Sequence, residues 1–201
     1  MSFDLVNYFI IQEIMNTKNG ILGILCLMLS MSLFSQQQEQ KNIIGAGAGF
    51  CPDKTVWIGN PINSWADINA SPVFQVFYAR QVLPAVRLGT YFEYENATFK
   101  STNDKASRYV LGLNWLAQYP DKPFHIQLGG YFGYGLVKAD MWNQTLGGIE
   151  YGMIVGPAYE KNNYGIALHF PTGFSYYTSS GIPDEVSYSK GIYLLKFYYK
   201  F

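Results

Sequence analysis

Alternation of apolar and polar side chains with a period of two recurs along this chain, and it restricts the possible folds more than any other feature. In residues 86–94 the apolar and ring residues occupy every second position, and Arg87 and Glu93 lie between them. A period of two places successive side chains on opposite faces of a β-strand. The pattern returns in residues 42–50, 73–80, 109–118, 124–136, 149–156, 164–171 and 193–201. The sequence therefore predicts an all-β chain with about eight strands.

The connections between these segments alternate in length. Those at residues 83–85, 120–123 and 161–163 are short, and those at residues 51–70, 100–106, 140–147 and 179–186 are longer. Short turns at one end and long loops at the other are typical of an antiparallel up-and-down β-barrel that spans an outer membrane. With the N-terminus in the periplasm, we expect every long loop on the cell surface.

The N-terminal region has the three parts of a secretory signal peptide. Lys18 precedes an apolar stretch at residues 21–34, and Ser35 begins a polar segment. The apolar stretch is shorter than the roughly 17–25 residues of a membrane-spanning helix, although an uncleaved signal anchor is an alternative. We predict a signal peptide at residues 1–35 and a barrel domain at residues 36–201. Met15 also suits the start of a signal peptide, so residues 1–14 are a candidate misassigned extension.

The chain has two cysteines, and Cys26 lies within the predicted signal peptide. Cleavage would leave Cys51 alone, without an internal disulfide partner. We expect Cys51 to be a plain thiol in the first long loop; a catalytic or intermolecular role is the alternative.

The residue inventory of the two strand faces indicates which one points outward. Charged residues make up only 14% of the chain and aromatic residues 17%, which suits a protein in contact with both lipid and water. A soluble barrel of the lipocalin kind, the alternative, would need the apolar face inside and the charges outside. A barrel with its apolar face outside and its charges inside is stable only in lipid, because a large apolar outer surface aggregates in water.

An outward apolar face directs the polar face into the lumen. The predicted lumenal polar network consists of Arg87, Glu93, Glu95, Arg108, Glu150, His169 and Lys196. Eight strands leave just enough room for side chains, so we expect these charges to pair, with Glu95 and Arg108 as partners on adjacent strands. Tyr91 and Tyr131 are expected to fill the remaining space beside the inner glycines. A ligand cavity formed by the same glycines is the alternative.

Residues 42–201 resemble the small outer-membrane β-barrels of OmpA/OmpX type. The resemblance rests on a glycine-rich first strand after a signal peptide, the alternating hairpins, and the aromatic C-terminal strand at residues 193–201. It implies that the barrel-assembly machinery reads Phe197, Tyr199 and Phe201 as an assembly signal, although Lys196 replaces a glycine usual in the family. It also implies outer-membrane lipid and lipopolysaccharide as surroundings. We expect the barrel domain only, with no peptidoglycan-binding domain after Phe201.

The sequence shows little sign of a catalytic site, a cofactor site or a nucleic-acid-binding surface. His169-Phe170-Pro171 lacks the His-x-Ser arrangement of lipid A deacylases, and no metal-ligand spacing occurs. The 14 basic and 14 acidic side chains give no concentrated positive charge for phosphates. We therefore expect no catalytic, metal or cofactor site and no nucleic-acid partner.

The sequence favours an outer-membrane barrel with a structural or surface-interaction role carried by its extracellular loops. Trp57 and Trp65, in the longest predicted loop, are the candidates for recognition of an unknown extracellular ligand, because exposed aromatic residues are common recognition anchors. A narrow pore or small-ligand conduit is the alternative, and a lipid A-modifying enzyme is a less favoured one. We expect a monomer.

Overall fold

Each predicted strand segment forms a β-strand in the computed structural model, which describes residues 42–59, 64–118, 122–140, 145–179 and 182–201. The predicted signal peptide lies outside the described residues. The strands are β1 (Asn42–Cys51), β2 (Lys54–Ile58), β3 (Ser64–Ile68), β4 (Ser71–Leu83), β5 (Val86–Thr98), β6 (Lys105–Gln118), β7 (Phe124–Ala139), β8 (Thr145–Lys161), β9 (Tyr164–Ser179), β10 (Ile182–Gly191) and β11 (Tyr193–Lys200). No helix among these residues is long and apolar enough to span a membrane.

Eight of these strands close into an antiparallel barrel. β1 pairs with β4, each strand from β4 to β9 pairs with the next, and β11 pairs with both β9 and β1. At the closing seam, Asn42 and Phe201 exchange backbone hydrogen bonds of 2.8 and 2.9 Å. Closure removes free strand edges from the ring, and this is what allows a sheet to lie in hydrocarbon, where no water satisfies the backbone.

The first long hairpin is the main departure from the sequence prediction. The prediction of a loop over residues 51–70 is wrong, because β2 and β3 occupy most of it and pair antiparallel in the same register as β1 and β4. The strands are interrupted only briefly, at Pro52-Asp53 and at Asn69-Ala70. Pro52 lacks a backbone N–H donor and interrupts the alternating pattern in the sequence. The pattern therefore does not reveal that the strand resumes at Lys54. β1 to β4 therefore form one long hairpin.

The other three long connections are also shorter than predicted, because β6, β8 and β10 begin within them. From Glu185 onward, β10 and β11 pair with β9 in one register. Ile192 separates the two strands, and its N–H donates to the Pro171 carbonyl at 3.0 Å. β2 pairs with β10 at Trp57–Ser187. The barrel wall thus extends well beyond the closed ring at this end, which we call the long-hairpin end.

The predicted loop position of Cys51 is also wrong. Cys51 ends β1 with its side chain inward and 1% exposed, and it packs with Val73, Ile192 and Leu194. Its Sγ lies 3.3 Å from the Gly191 carbonyl oxygen. The thiol is an interior group rather than an accessible loop group, because the wall of the extended hairpin covers it.

The opposite end carries the short turns and the two ends of the barrel chain. In the β8–β9 turn, Asn162 has a φ of 54°, a left-handed conformation that asparagine tolerates better than most residues. This end therefore holds Asn42, Phe201 and the tight turns, and we call it the short-turn end.

The outer face of the ring is a belt of exposed apolar side chains. Leu111, Leu113, Ile126, Met153 and Phe197 are each between 55% and 65% exposed. Aromatic residues concentrate near the two limits of the belt: Phe50, Phe74, Tyr94, Tyr109, Tyr134, Tyr151, Phe174 and Tyr193 towards the long hairpins, and Tyr78, Trp115, Tyr159, Tyr164 and Tyr199 towards the short turns. An apolar band between aromatic girdles on a closed barrel is the surface of an outer-membrane barrel.

Candidate functional site: the filled lumen and the first hairpin

A group of six charged residues, five of them buried and Lys54 partly exposed, fills the lumen near the outer limit of the belt. We call it the charge cluster, and it comprises Lys54, Glu93, Glu95, Arg108, Glu150 and Lys190. Its members come from β2, β5, β6, β8 and β10, whose inward positions meet at this height. Three cations face three carboxylates, so the cluster is electrically balanced.

Arg108 is the centre of the charge cluster. Its Nε donates to Glu95 at 2.7 Å, Nη2 to Glu93 at 2.7 Å and Nη1 to Glu150 at 2.6 Å. Glu95 is the direct cross-strand neighbour of Arg108, which is the arrangement expected from their shared hairpin. The structure adds Glu93 and Glu150, so one guanidinium holds carboxylates from the neighbouring strand and from a strand two places away. Charge-assisted hydrogen bonds of this kind are stronger than neutral ones.

Two members of the cluster were missed in the sequence. Lys190 donates to Glu93 at 2.8 Å and to Glu150 at 2.6 Å, and Lys54 donates to Glu95 at 2.7 Å. Both lie outside the predicted strands. Continuing the alternation backwards from Lys196 through Leu194 and Ile192 reaches Lys190 on the same face, and this signal was available.

An apolar core lies inside the extended wall, beyond the charge cluster. It contains Val56, Ile58, Ile68, Ala97, Phe99, Ala106, Val137, Ala139, Leu146, Tyr177, Val186 and Tyr188. Tyr177 donates to Glu150, and the Lys54 ammonium lies 4.4 Å from the centroid of the Tyr188 ring. A cavity of about 30 Å³ between this core and the cluster has room for about one water molecule.

Below the cluster, Tyr91 and Tyr131 cross the lumen. Their rings meet edge to face with centroids 6.5 Å apart, and both residues are almost fully buried. Glycines opposite them provide the space. A Cβ at Gly112 would lie 2.5 Å from Cζ of Tyr91, and one at Gly173 would lie 2.7 Å from the hydroxyl oxygen of Tyr131. The inner glycines thus accommodate rings.

A second group of charges surrounds Glu160 at the short-turn end. Arg87 reaches it with two nitrogens, at 2.6 and 2.8 Å, Lys200 lies 2.7 Å away, and the Tyr198 hydroxyl donates to it. Arg87 was predicted to be lumenal, and the structure buries it there with this partner. Glu160 was missed, because the predicted strand ended before Pro157, whereas β8 continues to Lys161.

His169 and Lys196 lie on the inner face between these two groups. The His169 ring has Nε2 at 2.7 Å from Gln127 Oε1, and Gln127 donates to Gln118 at 3.0 Å. Lys196 is 2% exposed, and its ammonium lies 4.7 Å from the centroid of the Phe77 ring. Arg87, Asn114, Gln127, His169 and Lys196 together line a cavity of about 20 Å³.

Trp57 and Trp65 face each other across the β2–β3 hairpin. They are direct cross-strand partners with ring centroids 5.1 Å apart, and Trp65 is 67% exposed. The base of the hairpin is tied to the neighbouring turn by an ion pair of 2.7 Å between Asp53 and Lys100. The hydrogen bond from Lys100, with one from the Ala70 N–H, holds the pKa of Asp53 below its usual value.

The residues of the predicted assembly signal form an outward row on β11. Phe197, Tyr199 and Phe201 are between 40% and 58% exposed, and the last two rings stack at 6.2 Å. Among the described residues, no group of three or more His, Cys, Asp or Glu side chains is positioned to hold a metal ion.

Comparison with known proteins gives similarity in structure only. No protein-family model matches the chain, and no curated protein matches it. The crystal structure of Neisserial surface protein A (NspA) matches with a TM-score of 0.54 and 11% identity, over 82% of this chain and 100% of that one. The fold is that of the small outer-membrane barrels.

Two further structures match less well. The attachment invasion locus protein Ail of Yersinia pestis has a TM-score of 0.42 and 12% identity, over 81% of this chain and 98% of that one. The outer membrane protease OmpT from Escherichia coli has a TM-score of 0.38 and 11% identity, over 82% and 98%. Similarities this low carry no functional information, and a shared fold does not determine function.

The central role of Arg108 generates a stability prediction. Arg108→Met should lower the free energy of unfolding by about 3–5 kcal/mol, because three buried carboxylates would then face two cations. Adding Glu95→Gln should restore part of the loss by removing one of the stranded charges. Urea unfolding of the folded barrel in lipid, followed by tryptophan fluorescence, measures both. Lys138→Met, at an exposed lysine of β7, is the control, and equal losses in Arg108→Met and Lys138→Met would contradict the prediction.

Proposed function

We propose that this protein is a closed, non-conducting outer-membrane barrel with a structural or surface-interaction role, carried by the hairpins of its long-hairpin end. The observation that carries the proposal is a contrast within the molecule. The lumen is filled along its length by the charge cluster, Tyr91, Tyr131 and the Glu160 group. The first hairpin, in contrast, carries an aromatic pair beyond the apolar belt, with Trp65 exposed and Trp57 partly exposed.

The filled lumen argues against the conduit alternative. The cavities of about 20 and 30 Å³ that the described residues line in the lumen are of the order of one or two water molecules. Ions would have to displace buried, paired charges in order to pass. Residues of the lumen therefore act in stabilising the barrel.

The position of the tryptophan pair favours contact with molecules outside the membrane. Trp57 lies seven residues beyond Phe50, the last belt residue of β1, which is about 23 Å along a strand and about 18 Å above the belt at a tilt of roughly 40°. Aromatic side chains supply a large contact area at a low entropic cost. The paired backbone of β2 and β3 holds the two rings in a fixed arrangement.

Three kinds of partner belong to this proposal. Outer-membrane lipid and lipopolysaccharide surround the belt, the barrel-assembly machinery recognises the β11 aromatic row, and an unknown extracellular ligand binds the first hairpin. We also propose a monomer, because closure within one chain leaves no strand edge of the ring that needs a second copy.

The filled lumen predicts that the wild-type protein gives no stable current steps in a planar lipid bilayer. Tyr91→Ala combined with Tyr131→Ala removes only the two crossing rings and should also give no steps, because the charge cluster and the Glu160 group still close the lumen above and below them. A porin in the same bilayer is the positive control. Porin-sized steps from the wild-type barrel would contradict the closed lumen.

The recognition role of the first hairpin is tested with an array of glycans and extracellular proteins, probed with the barrel in lipid nanodiscs. Trp57→Ala with Trp65→Ala should weaken any wild-type signal at least about tenfold, since such aromatic anchors contribute about 2 kcal/mol or more. The matched control is Phe124→Ala with Tyr164→Ala, two exposed aromatic residues at the short-turn end. Equal binding by wild type and hairpin variant would exclude these rings as the anchor.

The assembly role of Phe201 needs a substitution rather than a deletion, because deletion also removes the backbone bonds to Asn42. Phe201→Ala keeps the backbone bonds and removes only the ring. We expect a smaller heat-modifiable, folded fraction in cells, while refolding of the purified variant into lipid remains normal. A normal folded fraction in cells would mean that another segment carries the recognition.

A further inference from the structure

The lower half of the lumen has an excess of positive charge. The charge cluster above is balanced, but below Tyr91 and Tyr131 the buried cations Arg87 and Lys196 share the interior with a single carboxylate, Glu160, in the part of the chain that the structure describes. Arg87 and Lys200 already contact Glu160. Among the described residues, no carboxylate lies within 4.0 Å of the Lys196 ammonium.

The described side chains around Lys196 provide no negative charge to pair with its ammonium. The face of the Phe77 ring lies 4.7 Å away and provides a cation–π contact, but a neutral ring carries no compensating charge. Lys196 is 2% exposed, so bulk water does not solvate it. A buried charge without a partner is strongly unfavourable in a protein interior.

The small cavity beside Lys196 also contains polar atoms without a protein partner. Arg87 Nε and His169 Nδ1 both lack a hydrogen-bond partner among the described residues, and Arg87 and His169 are 3% and 2% exposed. Both residues line the cavity with Lys196, Asn114 and Gln127. Two cationic side chains, Lys196 and Arg87, line this cavity and no carboxylate among the described residues does so, so its lining favours an anion.

The hydrogen bonds that join Gln118, Gln127 and His169 are compatible with an anion in the cavity. The amide orientations of Gln127 and Gln118 can be exchanged together, because amide oxygen and nitrogen have the same shape. The exchange keeps the bond between the two amides and gives up the 3.3 Å contact of Gln127 with His125 Nε2. In that arrangement Gln127 donates to His169 Nε2, and Nδ1 carries the proton. The cavity is then lined by N–H donors from Lys196, Arg87 and His169.

We propose that this cavity binds one small monovalent anion of halide size, held by the Lys196 ammonium and the Arg87 Nε–H. A volume of about 20 Å³ is close to that needed by one water molecule and favours a halide over larger anions such as sulfate or phosphate. Gly47 maintains the space, since a Cβ there would lie 3.0 Å from Cγ of Lys196. The anion supplies the negative charge that the lower lumen lacks, and its binding stabilises the folded barrel.

The test compares halide and gluconate buffers of equal ionic strength with the full barrel in detergent or nanodiscs. Chloride or bromide should raise the apparent Tm of the wild type saturably, by about 3–6 °C at tenfold excess over Kd. Lys196→Met should abolish the rise, and Lys138→Met, on the outer surface, should retain it. A wild-type Tm independent of halide, or an equal rise in Lys196→Met, overturns the proposal.

Bromide-containing crystals of the wild type give a second measurement that does not depend on the folding of a variant. An anomalous peak in the cavity beside Lys196 and Arg87 supports the site. Crystals with no bromide peak in this cavity, whatever peaks lie on the surface, overturn it.

Discussion

The fold depends on one constraint, the narrowness of an eight-stranded lumen that lies in lipid. Such a ring is just wide enough for side chains, so each inward residue must fit and each inward charge must be paired. Arg108 meets this constraint for the outer half, because its three nitrogens bind Glu93, Glu95 and Glu150. Lys190 binds two of the same carboxylates from β10. The network therefore connects strands that are not neighbours in the ring.

Aromatic rings packed against glycines fill the narrow lumen without steric overlap. Tyr91 lies against Gly112 and Gly133, and Tyr131 lies against Gly152 and Gly173, each too close for a Cβ without movement. The lumen is thus filled by a few large groups set into gaps on the opposite wall. Dense packing of this kind leaves little open space in the lumen between the charge cluster and the Glu160 group.

The long-hairpin end extends this support beyond the membrane. The same inward alternation continues into the wall formed by β2, β3 and β10, but there it is mostly apolar and forms a small core. Backbone pairing and this core order the segment that holds Trp57 and Trp65. A recognition surface on a paired hairpin is better organised in advance of binding than one on an unpaired loop, and this lowers the entropic cost of binding.

The sequence by itself determined the strands and their two faces, because a period of two is a local property of the backbone. It also determined that short and long connections alternate along the chain. It also indicated the lumenal positions of residues such as Arg87, Glu150 and Lys196, and the adjacency of Glu95 and Arg108 in one hairpin. The tertiary structure alone decided the remaining partners: Lys54 and Lys190 in the charge cluster, and Glu160 for Arg87. It likewise decided the extended hairpin and the burial of Cys51. These features depend on which inward positions reach the same height after the ring closes, and that height is set by the register summed around all eight strands.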